Sequence, residues 1–472
     1  MSDKNEKGGG ALQQTISPVD NQIYVTRPLA TQDEIHTLVH RANVTQLSWA
    51  AMSLVERKLL CVRAIDILMS QKQELANELC WMMGRPIRYC EGELNGVDER
   101  AQYLLKICEQ GLSPVHIAEK AGVTRYIKRE PLGVVMIIAP WNYPYLTAIN
   151  SLIPALLAGN SVIIKHSAQT PLCAERLVTA FEEAGMDKGV IQYLHTSHEN
   201  ILACINQEAI AHVAFTGSVF GGQKVEQAAA GRFMYLGLEL GGKDPAYVRS
   251  DVMINEVVDT LVDGAFFNSG QSCCAIERLY VHEKIHDEFV AAFIEKVLQY
   301  VLGRSNDPNT TLGPMVSAAA ALSVRKQIQE AIALGATAHI DEALFPLSQL
   351  GTAYLAPQVL TGVNHQMKVM TQESFGPVIG IQKVNDDDEA IALMNDSDFG
   401  LTAAIFTQDI ETGVALGDSV NTGTLFINRC DYLDPALAWT GVKQSGRGCS
   451  LSILGFESIT RPKSYYIQHA VS

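Results

Sequence analysis

The sequence predicts an α/β protein in which parallel β-sheets are covered by helices. The main observation is that helical and strand patterns alternate through the middle of the chain, because parallel strands need crossover connections, which are usually helices. The second is length, since 472 residues are too many for one simple core and indicate two or three domains. The third is composition, because 47% hydrophobic and 18% charged residues are typical of a globular protein with large buried interiors.

The first predicted elements are helices. Apolar residues keep a mainly helical spacing from Thr31 to Ile107, and Gly84 is placed where it would stop one of these helices. Residues 1–16 come before them. Their start, MSDKNEKGGG, is polar and Gly-rich and lacks the apolar run of a secretory signal, so we interpret the segment as a disordered lead-in.

Strands begin after these helices. Residues 123–141 show the pattern of an alternating strand, a turn at Glu130–Pro131 and a buried strand. Helical and strand patterns then alternate in the segments YLTAINSLIPALLAGN, SVIIKHS, LCAERLVTAFEEAG, IQYLH, AHVAFTGS and GQKVEQAAAG. A second alternating block begins near Asp251, and the motifs described below place a domain boundary near residue 240.

Charge and cysteine spacing exclude several classes of partner. The formal net charge is −15 and no cluster of five or more Lys and Arg occurs, so we expect neither nucleic acid nor an anionic membrane surface as partner. Apolar runs such as residues 132–140 are too short to span a membrane. The ten cysteines form no CxxC pair and no zinc-like spacing, so we expect no metal site and reduced thiols in a cytoplasmic protein.

The stretch FFNSGQSCCAIER, residues 266–278, contains two adjacent cysteines. Free cysteines often fill apolar cores, so a structural role for both stays open at this point. The neighbouring Gly, Ser and Gln suit a tight turn better than the middle of a packed element. This context favours a nucleophilic role for Cys273 or Cys274.

Two further motifs could bind a phosphate and supply a base. Residues 211–231 predict a strand, a Gly/Ser turn and a helix, which can direct backbone N–H groups at a phosphate, although a plain strand-to-helix turn has the same pattern. In LELGGKDP, residues 238–245, strand alternation could simply expose Glu239. If Glu239 lines a closed pocket instead, burial raises its pKa and makes it a usable base.

Polar or aromatic residues also stand beside proline or glycine in two turns. Asn142 of APWNYP could donate a hydrogen bond from its amide, or could be a turn residue. In ESFGPVIGI, Glu373 could hold a sugar hydroxyl and Phe375 could pack on a flat ring, although both could be structural.

Taken in order, these segments resemble the aldehyde dehydrogenase superfamily. PWNYP, FTGS, LELGG, FFNSGQSCCA and ESFGP match its motifs, and the similarity extends from about Ser17 to the C-terminus. Glu239 and Cys273 are separated by 273 − 239 = 34 residues, as in that family. The resemblance implies a soluble enzyme that oxidises a small-molecule aldehyde to a carboxylic acid with NAD or NADP.

The resemblance also implies a role for individual residues. The nucleophile falls on Cys273, the general base on Glu239, and the oxyanion donors on the Asn142 side chain and the Cys273 backbone N–H. The implied cofactor contacts are Trp141, Lys165, Ser167, Ala168, Gly217, Ser218, Glu373 and Phe375. The implied substrate tunnel contains Tyr143, Thr147, Asn150, Ser272, Cys274, Arg429 and Trp439. No metal is implied.

In the implied chemistry, the Cys273 thiolate adds to the aldehyde, hydride leaves for the nicotinamide, and the resulting thioester is hydrolysed by water that Glu239 activates. A coenzyme A acylating member of the superfamily is one alternative, although such members commonly lack the Glu. A non-catalytic relative on the same fold is the other alternative.

The architecture implied by the resemblance has three parts. Residues 1–112 and 133–240 would form a Rossmann-like cofactor domain, and residues 241–440 an α/β catalytic domain. Residues 113–132 and 455–472 would form a small β oligomerisation arm. Because an exposed strand edge is normally covered, this arm indicates a homodimer or homotetramer.

Two departures from the family bear on substrate and coenzyme. Succinate semialdehyde dehydrogenases carry an Arg eight residues after the Asn of PWN, whereas this chain has Asn150. The implied entrance loop reads AWTG where PFGG is usual and carries Arg429, Asp431 and Asp434, which leaves a charged or amino-bearing aldehyde and simple solvation both open. NAD-preferring relatives often have a Glu where this chain has Ala168, so we expect NADP to be accepted.

Overall fold

The structure is a computed structural model that describes residues 11–469. Most of the predicted lead-in, residues 1–10, lies outside this range. Its last part contradicts the prediction, because Leu12–Ile16 forms a strand that pairs antiparallel with Ile23–Pro28. The Thr15 hydroxyl also donates to the Ala168 carbonyl at 2.8 Å, so the segment is fixed to the body of the protein by backbone and side-chain bonds.

Helices cover both faces of the sheets. They are, in chain order, α1 (Gln32–Ala51), α2 (Leu54–Ser70), α3 (Lys72–Met83), α4 (Ile87–Leu112), α5 (Pro144–Ala158), α6 (Pro171–Glu183), α7 (His198–Ile205), α8 (Val219–Ala229), α9 (Ile254–Phe266), α10 (His286–Val297), α11 (Ala318–Ala333), α12 (Lys368–Thr371), α13 (Asp387–Asn395), α14 (Ile410–Gly417) and α15 (Gly455–Ser458). Short 3₁₀ helices span Phe267–Gly270 and Glu342–Leu344. The predicted helix stop is confirmed, because α3 ends at Gly84 with φ of 85°.

The strands are β1 (Leu12–Ile16), β2 (Ile23–Pro28), β3 (Val115–His116), β4 (Val123–Pro131), β5 (Val134–Ala139), β6 (Ser161–His166), β7 (Ile191–Tyr193), β8 (Ile210–Thr216), β9 (Tyr235–Glu239), β10 (Asp244–Val248), β11 (Ile276–His282), β12 (Thr337–Ala338), β13 (Gln358–Thr361), β14 (Val378–Val384), β15 (Phe399–Gly400), β16 (Thr402–Phe406), β17 (Thr424–Ile427), β18 (Val442–Lys443), β19 (Gly446–Arg447) and β20 (Thr460–Gln468).

Two large sheets carry the predicted functional residues. One has the order β19-β9-β8-β5-β6-β7 and is parallel except for β19. The other has the order β12-β13-β14-β11-β10-β16-β17 and is parallel except for β12. The predicted α/β class is confirmed. The division of the chain into a cofactor domain and a catalytic domain stays a prediction. The ranges predicted for the cofactor domain do not include β19, although β19 pairs with β9 of the first sheet.

The chain crosses from the first large sheet to the second between Glu239 and Asp244. Parallel sheets bind ligands at the carboxyl ends of their strands. Glu239 is the last residue of β9, so it lies at such an end. The predicted base therefore lies where the chain leaves the first sheet for the second.

A third sheet, β20-β4-β3, is fully antiparallel. The predicted turn at Glu130–Pro131 is wrong, because β4 continues through Pro131. The strand conformation is interrupted only after it, at Gly133, whose φ is 132°. At Pro131 the strand pairs on one side only, with Thr460, and sheets tolerate proline at such positions. Oligomerisation through the edge of β20 stays a prediction of the sequence.

No helix among residues 11–469 is long and apolar enough to cross a lipid bilayer. Within the same residues, no group of three or more His, Cys, Asp or Glu side chains is arranged to hold a metal ion.

Candidate active site

The loop that carries the two cysteines has an unusual backbone. Asn268 and Ser269 adopt left-handed conformations with φ of 52° and 58°, and Gly270 follows with φ of 70°. A Cβ at Gly270 would lie 2.3 Å from the Gly376 carbonyl oxygen, so only glycine permits this approach. The turn therefore packs the cysteine loop against the segment that contains Glu373 and Phe375.

Cys273 and Cys274 lie in different environments. Cys273 is half-buried, whereas Cys274 is only 2% exposed. The Cys274 thiol donates to Asp431 Oδ1 at 3.0 Å, and the Ser272 hydroxyl donates to the same oxygen at 2.8 Å. A hydrogen bond with the Cys273 thiol, burial and the nearby Asp431 carboxyl all raise the pKa of Cys274 well above its usual range. A reactive thiolate at Cys274 is thus disfavoured, and Cys273 is the better candidate nucleophile.

Asn142 is buried beside the cysteine loop. Its side-chain Nδ2 donates to the Gln271 carbonyl at 3.2 Å, two residues before Cys273. The Asn142 carbonyl in turn accepts a hydrogen bond from Arg85. Because an amide NH₂ carries two hydrogens, the second one remains available to a ligand. The arrangement suits a donor aimed close to Cys273.

A buried ion pair supports this asparagine. Arg85 is paired with Glu93, and both side chains are almost fully buried. The second Glu93 oxygen accepts the backbone N–H groups of Tyr145 at 2.9 Å and Leu146 at 3.3 Å, in the first turn of α5. One ion pair therefore fixes both the Asn142 loop and the helix that follows it.

Glu239 is held by two hydroxyl groups. Thr216 Oγ1 donates to Glu239 Oε2 at 2.9 Å, and Ser450 Oγ donates to Oε1. Burial raises the pKa of Glu239, while the bonds from Ser450 and Thr216 and the charge of Arg100 lower it, and the net direction is upward. A carboxyl group in this state can act as a base near neutral pH.

The base and nucleophile segments are in contact. A Cβ at Gly242 would lie 2.8 Å from the Cys273 carbonyl oxygen, so the backbone three residues after Glu239 touches the backbone of Cys273. The Glu239 carbonyl also accepts the Gly217 N–H at 3.0 Å. The motifs FTGS, LELGG and FFNSGQSCCA are therefore in contact with one another.

Thr216→Val is expected to shift the acidic limb of the pH profile upward. Valine removes the hydroxyl that lowers the pKa of Glu239, and a general base works only when deprotonated, so activity is lost as pH falls through that raised pKa. Losing one hydrogen bond of ~0.7 kcal/mol corresponds to a shift of about 0.5 pH unit. The measurement is steady-state kcat against pH, with the exposed Thr37→Val as control. A limb that stays in place or moves to lower pH would count against the assignment.

Glu373 and Phe375 lie on the segment that contacts Gly242, beside the cysteine loop. Glu373 Oε1 accepts the Gly242 N–H at 3.2 Å. Burial and the neighbouring Glu277 raise the pKa of Glu373 to about 8. The Phe375 ring meets the Trp141 ring edge-on, with centroids 5.6 Å apart and planes at 81°.

The turn that carries Phe375 is fixed by a buried ion pair. Lys243 Nζ donates to Glu277 Oε2 at 2.6 Å, and the Glu277 carboxylate accepts the N–H groups of Ser374 and Phe375 at 2.8 Å each. Phe375 has φ of 50°, which is costly for a bulky residue. The ion pair stabilises this conformation and so positions the ring.

Lys165 is a buried cation at the end of β6. It is 6% exposed, its Nζ donates to the His166 carbonyl at 3.2 Å, and no carboxylate in residues 11–469 lies within 4 Å of it. Ser167 is half-buried, and the Ala168 side chain is exposed. A buried cation without a carboxylate partner fits a phosphate or a sugar hydroxyl.

The Gly/Ser turn predicted after β8 is also present. Ser218 caps α8, with its Oγ accepting the Gly221 N–H at 3.2 Å, and Gly217 bonds to Glu239 as described. The N–H groups at the start of this helix, Lys165 without a carboxylate partner and the Glu373 carboxyl group are the kinds of group that bind a nicotinamide dinucleotide. The residues therefore fit this cofactor.

The predicted tunnel residues are spread more widely. Thr147 donates to the Tyr143 carbonyl at 2.9 Å, and the Arg85 guanidinium lies 4.4 Å above the Tyr143 ring. Trp439 is 4% exposed and belongs to the same apolar cluster as Cys274. Arg429 is exposed and lies over the Tyr432 ring at 4.9 Å. Their role in a tunnel stays a prediction.

Sequence reasoning missed several supporting residues, above all Glu93 and Arg100 on α4. A signal was present, because both share a helical stripe with Val97 and Leu104, which are fully buried. A charged residue in a buried stripe needs a partner. The ion-pair partners Arg85, Lys243 and Glu277 gave no comparable signal, since their contacts come from distant segments.

Known proteins resemble the chain over nearly its full length. The model of the aldehyde dehydrogenase family matches residues 5–465. A succinate-semialdehyde dehydrogenase (NADP+) of Deinococcus radiodurans is 33% identical over 452 residues, covering 95% of this chain and 93% of that protein. A betaine aldehyde dehydrogenase of Rhizobium etli is 31% identical over 465 residues, covering 98% and 95%. The crystal structure of succinic semialdehyde dehydrogenase from Streptococcus pyogenes with NADP+ gives a TM-score of 0.91 at 29% identity, covering 97% of this chain and 100% of that one.

Proposed function

The chain belongs to the aldehyde dehydrogenase family, and we propose that it oxidises an aldehyde to a carboxylic acid with NAD or NADP through Cys273 and Glu239. The observation that carries this proposal is the meeting of three motifs. A half-buried Cys273 touches the backbone that follows Glu239, and the amide of Asn142 is bonded to the same loop. These are the nucleophile, base and oxyanion donor that the reaction needs.

The first step is addition of the Cys273 thiolate to the aldehyde carbon. The aldehyde oxygen becomes an oxyanion, which accepts hydrogen bonds from the Asn142 amide and from the Cys273 backbone N–H. Each such donor typically stabilises the transition state by ~3 to 4 kcal/mol. The bonds from Arg85 and to Gln271 hold Asn142 in place before the substrate arrives.

The second step converts the thiohemiacetal on Cys273 to a thioester. Bound NAD(P) supplies the hydride acceptor for this oxidation. Lys165 and Glu373 would hold the sugar and phosphate groups, and Phe375 with Trp141 would pack against the nicotinamide end. The ion pair of Lys243 and Glu277 keeps Phe375 in position.

The last step is hydrolysis of the thioester. Glu239 takes a proton from water, the resulting hydroxide attacks the acyl carbon, and the C–S bond breaks to release the carboxylic acid and the Cys273 thiolate. The raised pKa of Glu239 suits this task. The presence of a base held by Thr216 and Ser450 favours water over coenzyme A as acyl acceptor.

The direct test is NAD(P)H formation by the purified protein with a panel of aldehydes. We expect absorbance to rise without coenzyme A and the acid to accumulate in equal amount. If no aldehyde gives NAD(P)H, the chain is a non-catalytic relative. If product forms only when coenzyme A is present, the acylating alternative is correct.

The coenzyme preference follows from Ala168. A Glu at this position would accept a bond from the adenosine 2′-OH of NAD and repel the 2′-phosphate of NADP, whereas the exposed Ala168 does neither. Lys165 is left without a carboxylate partner within residues 11–469 and can attract the phosphate. We expect kcat/KM for NADP no worse than about tenfold below that for NAD, a difference of ~1.4 kcal/mol.

Ala168→Glu should shift this preference toward NAD, mainly by raising KM for NADP. Ala168→Gln is the matched control, because it adds the same bulk without the charge. A chain that favours NAD by about a hundredfold or more before mutation, or ~2.7 kcal/mol, would show that another group excludes the phosphate.

A further inference from the structure

Arg100 is a buried cation that takes part in no step of the proposed mechanism, although its charge lowers the pKa of Glu239. It lies on α4 and is 8% exposed. Its Nη1 donates to Asn150 Oδ1 at 3.1 Å and, more weakly, to the Leu146 carbonyl at 3.4 Å. Among residues 11–469 no carboxylate lies within 4 Å of the guanidinium. Arginine has five N–H donors in a fork that matches a carboxylate, so most of them are uncommitted.

The guanidinium lies close to the reacting groups. Leu146, whose carbonyl accepts from Arg100, also donates its N–H to Glu93, and the partner of Glu93, Arg85, holds the Asn142 carbonyl. Burial lowers the pKa of Arg100, the nearby Cys274, Glu239 and Cys273 oppose that effect, and the charge of Arg100 in turn lowers the pKa of Glu239. A buried guanidinium without an ion-pair partner is unfavourable. An anionic group that arrives with the substrate would complete the pair.

Asn150 orients the Arg100 side chain through a hydrogen bond. Asn150 is buried on α5, three residues after Thr147, and its side-chain oxygen accepts from Arg100 across the contact between α4 and α5. It occupies the position at which the resembling succinate semialdehyde dehydrogenases carry an Arg. The cation is thus supplied from the neighbouring helix, and Asn150 orients it.

Asp431, which is bonded to the cysteine loop, forms no ion pair with Arg100. Both Ser272 and Cys274 donate to Asp431 Oδ1, and burial raises the pKa of Asp431. Glu239 is likewise bonded to Thr216 and Ser450. Neither carboxyl group accepts a hydrogen bond from Arg100, so the other N–H groups of its guanidinium are available to a ligand.

We propose that Arg100 binds the carboxylate of the substrate, which makes the preferred substrate an aldehyde that carries a carboxylate at its far end. This inference rests on the proposed aldehyde oxidation. Bidentate donation from the guanidinium would hold the distal carboxylate while the aldehyde carbon lies at Cys273. A cationic aldehyde would be repelled by the same group.

The test compares kcat/KM for three probes: succinate semialdehyde, which is anionic, pentanal, which is neutral, and betaine aldehyde, which is cationic. We expect the unmutated protein to favour succinate semialdehyde over each of the other two by about tenfold or more. Arg100→Met should lower the ratio of succinate semialdehyde to pentanal by about 30-fold or more, mainly through KM. Arg100→Lys should give an intermediate ratio, because an ammonium cannot donate in the same fork.

The matched control is Lys106→Met, which removes an exposed cation from the same helix and should leave the ratio unchanged. Asn150→Leu should raise KM for succinate semialdehyde by removing the group that aims Arg100. If Arg100→Met does not fold, the probe ratios of the unmutated protein and of Arg100→Lys still decide the matter.

Two outcomes would overturn the inference. One is an unmutated protein that prefers pentanal or betaine aldehyde. The other is an Arg100→Met ratio within about threefold of the unmutated one, which would mean that Arg100 acts on the chemistry or the fold and not on the substrate charge. Oxidation of none of the three probes would instead contradict the proposed function itself.

Discussion

Cys273→Ala is expected to abolish aldehyde oxidation, with a loss in kcat of more than about 10³-fold. Without the thiol no thiohemiacetal forms, and an aldehyde has no other route to expel hydride in this site. The measurement is NAD(P)H formation under saturating aldehyde and coenzyme. Binding of coenzyme to the variant, followed by fluorescence, would show that the site is otherwise intact.

Cys274→Ala is the matched control, because it removes the adjacent thiol. We expect it to keep at least about a tenth of the activity, a barrier change of no more than ~1.4 kcal/mol. Its thiol is buried and bonded to Asp431, so its loss weakens packing and one hydrogen bond. If the two variants behave the other way round, the nucleophile is Cys274.

Glu239→Gln is expected to lower steady turnover by about 10²-fold or more while a rapid first turnover survives. Thioester formation needs only the thiolate, whereas its hydrolysis needs a base for water. Gln keeps the shape of the side chain but accepts no proton. Stopped-flow absorbance of NAD(P)H separates the two phases.

The control for this variant is Glu208→Gln, which changes an exposed carboxylate just before the start of β8, whereas Thr216 is the last residue of that strand. It should leave both phases unchanged. Undiminished steady turnover of Glu239→Gln would end the general-base assignment, and Ser450 and Thr216 would then hold a carboxyl with a purely structural role.

The sequence predicted several of the turns that bring the candidate site segments together, because local patterns carry that information. Gly84 ends a helix since glycine alone adopts φ of 85° easily, and Gly217 and Ser218 start α8 as a strand-to-helix turn does. The motif around Cys273 predicted a tight turn, which the left-handed Asn268 and Ser269 provide. These features depend on neighbours within a few residues.

Features that depend on distant segments escaped prediction. Arg85 contacts Asn142 across 57 residues, and Lys243 contacts Glu277 across 34. Arg85, Lys243 and Glu277 are charged residues like many others in the sequence, and no local pattern shows that they are buried. Strand β19 has only two residues, too few for an alternating pattern, although it pairs with Glu239 itself.

The two wrong predictions concern strand pairing, which the local sequence pattern does not show. The polar composition of LQQTI, residues 12–16, resembles a disordered segment, and only pairing with β2 makes it a strand. Proline usually interrupts strands, which favours a turn at Pro131, but β4 pairs with a neighbour on one side only at this residue. Both outcomes were decided by the partner strand.

The central claim is that Cys273 carries the acyl group and Glu239 removes it. The most direct measurement is peptide mass spectrometry of the Glu239→Gln protein, quenched after one turnover with aldehyde and NADP. We predict an acyl group on the peptide that contains both cysteines, with fragmentation placing it on Cys273. An acyl group on Cys274, or an unmodified peptide after a full burst of NADPH, would contradict the account.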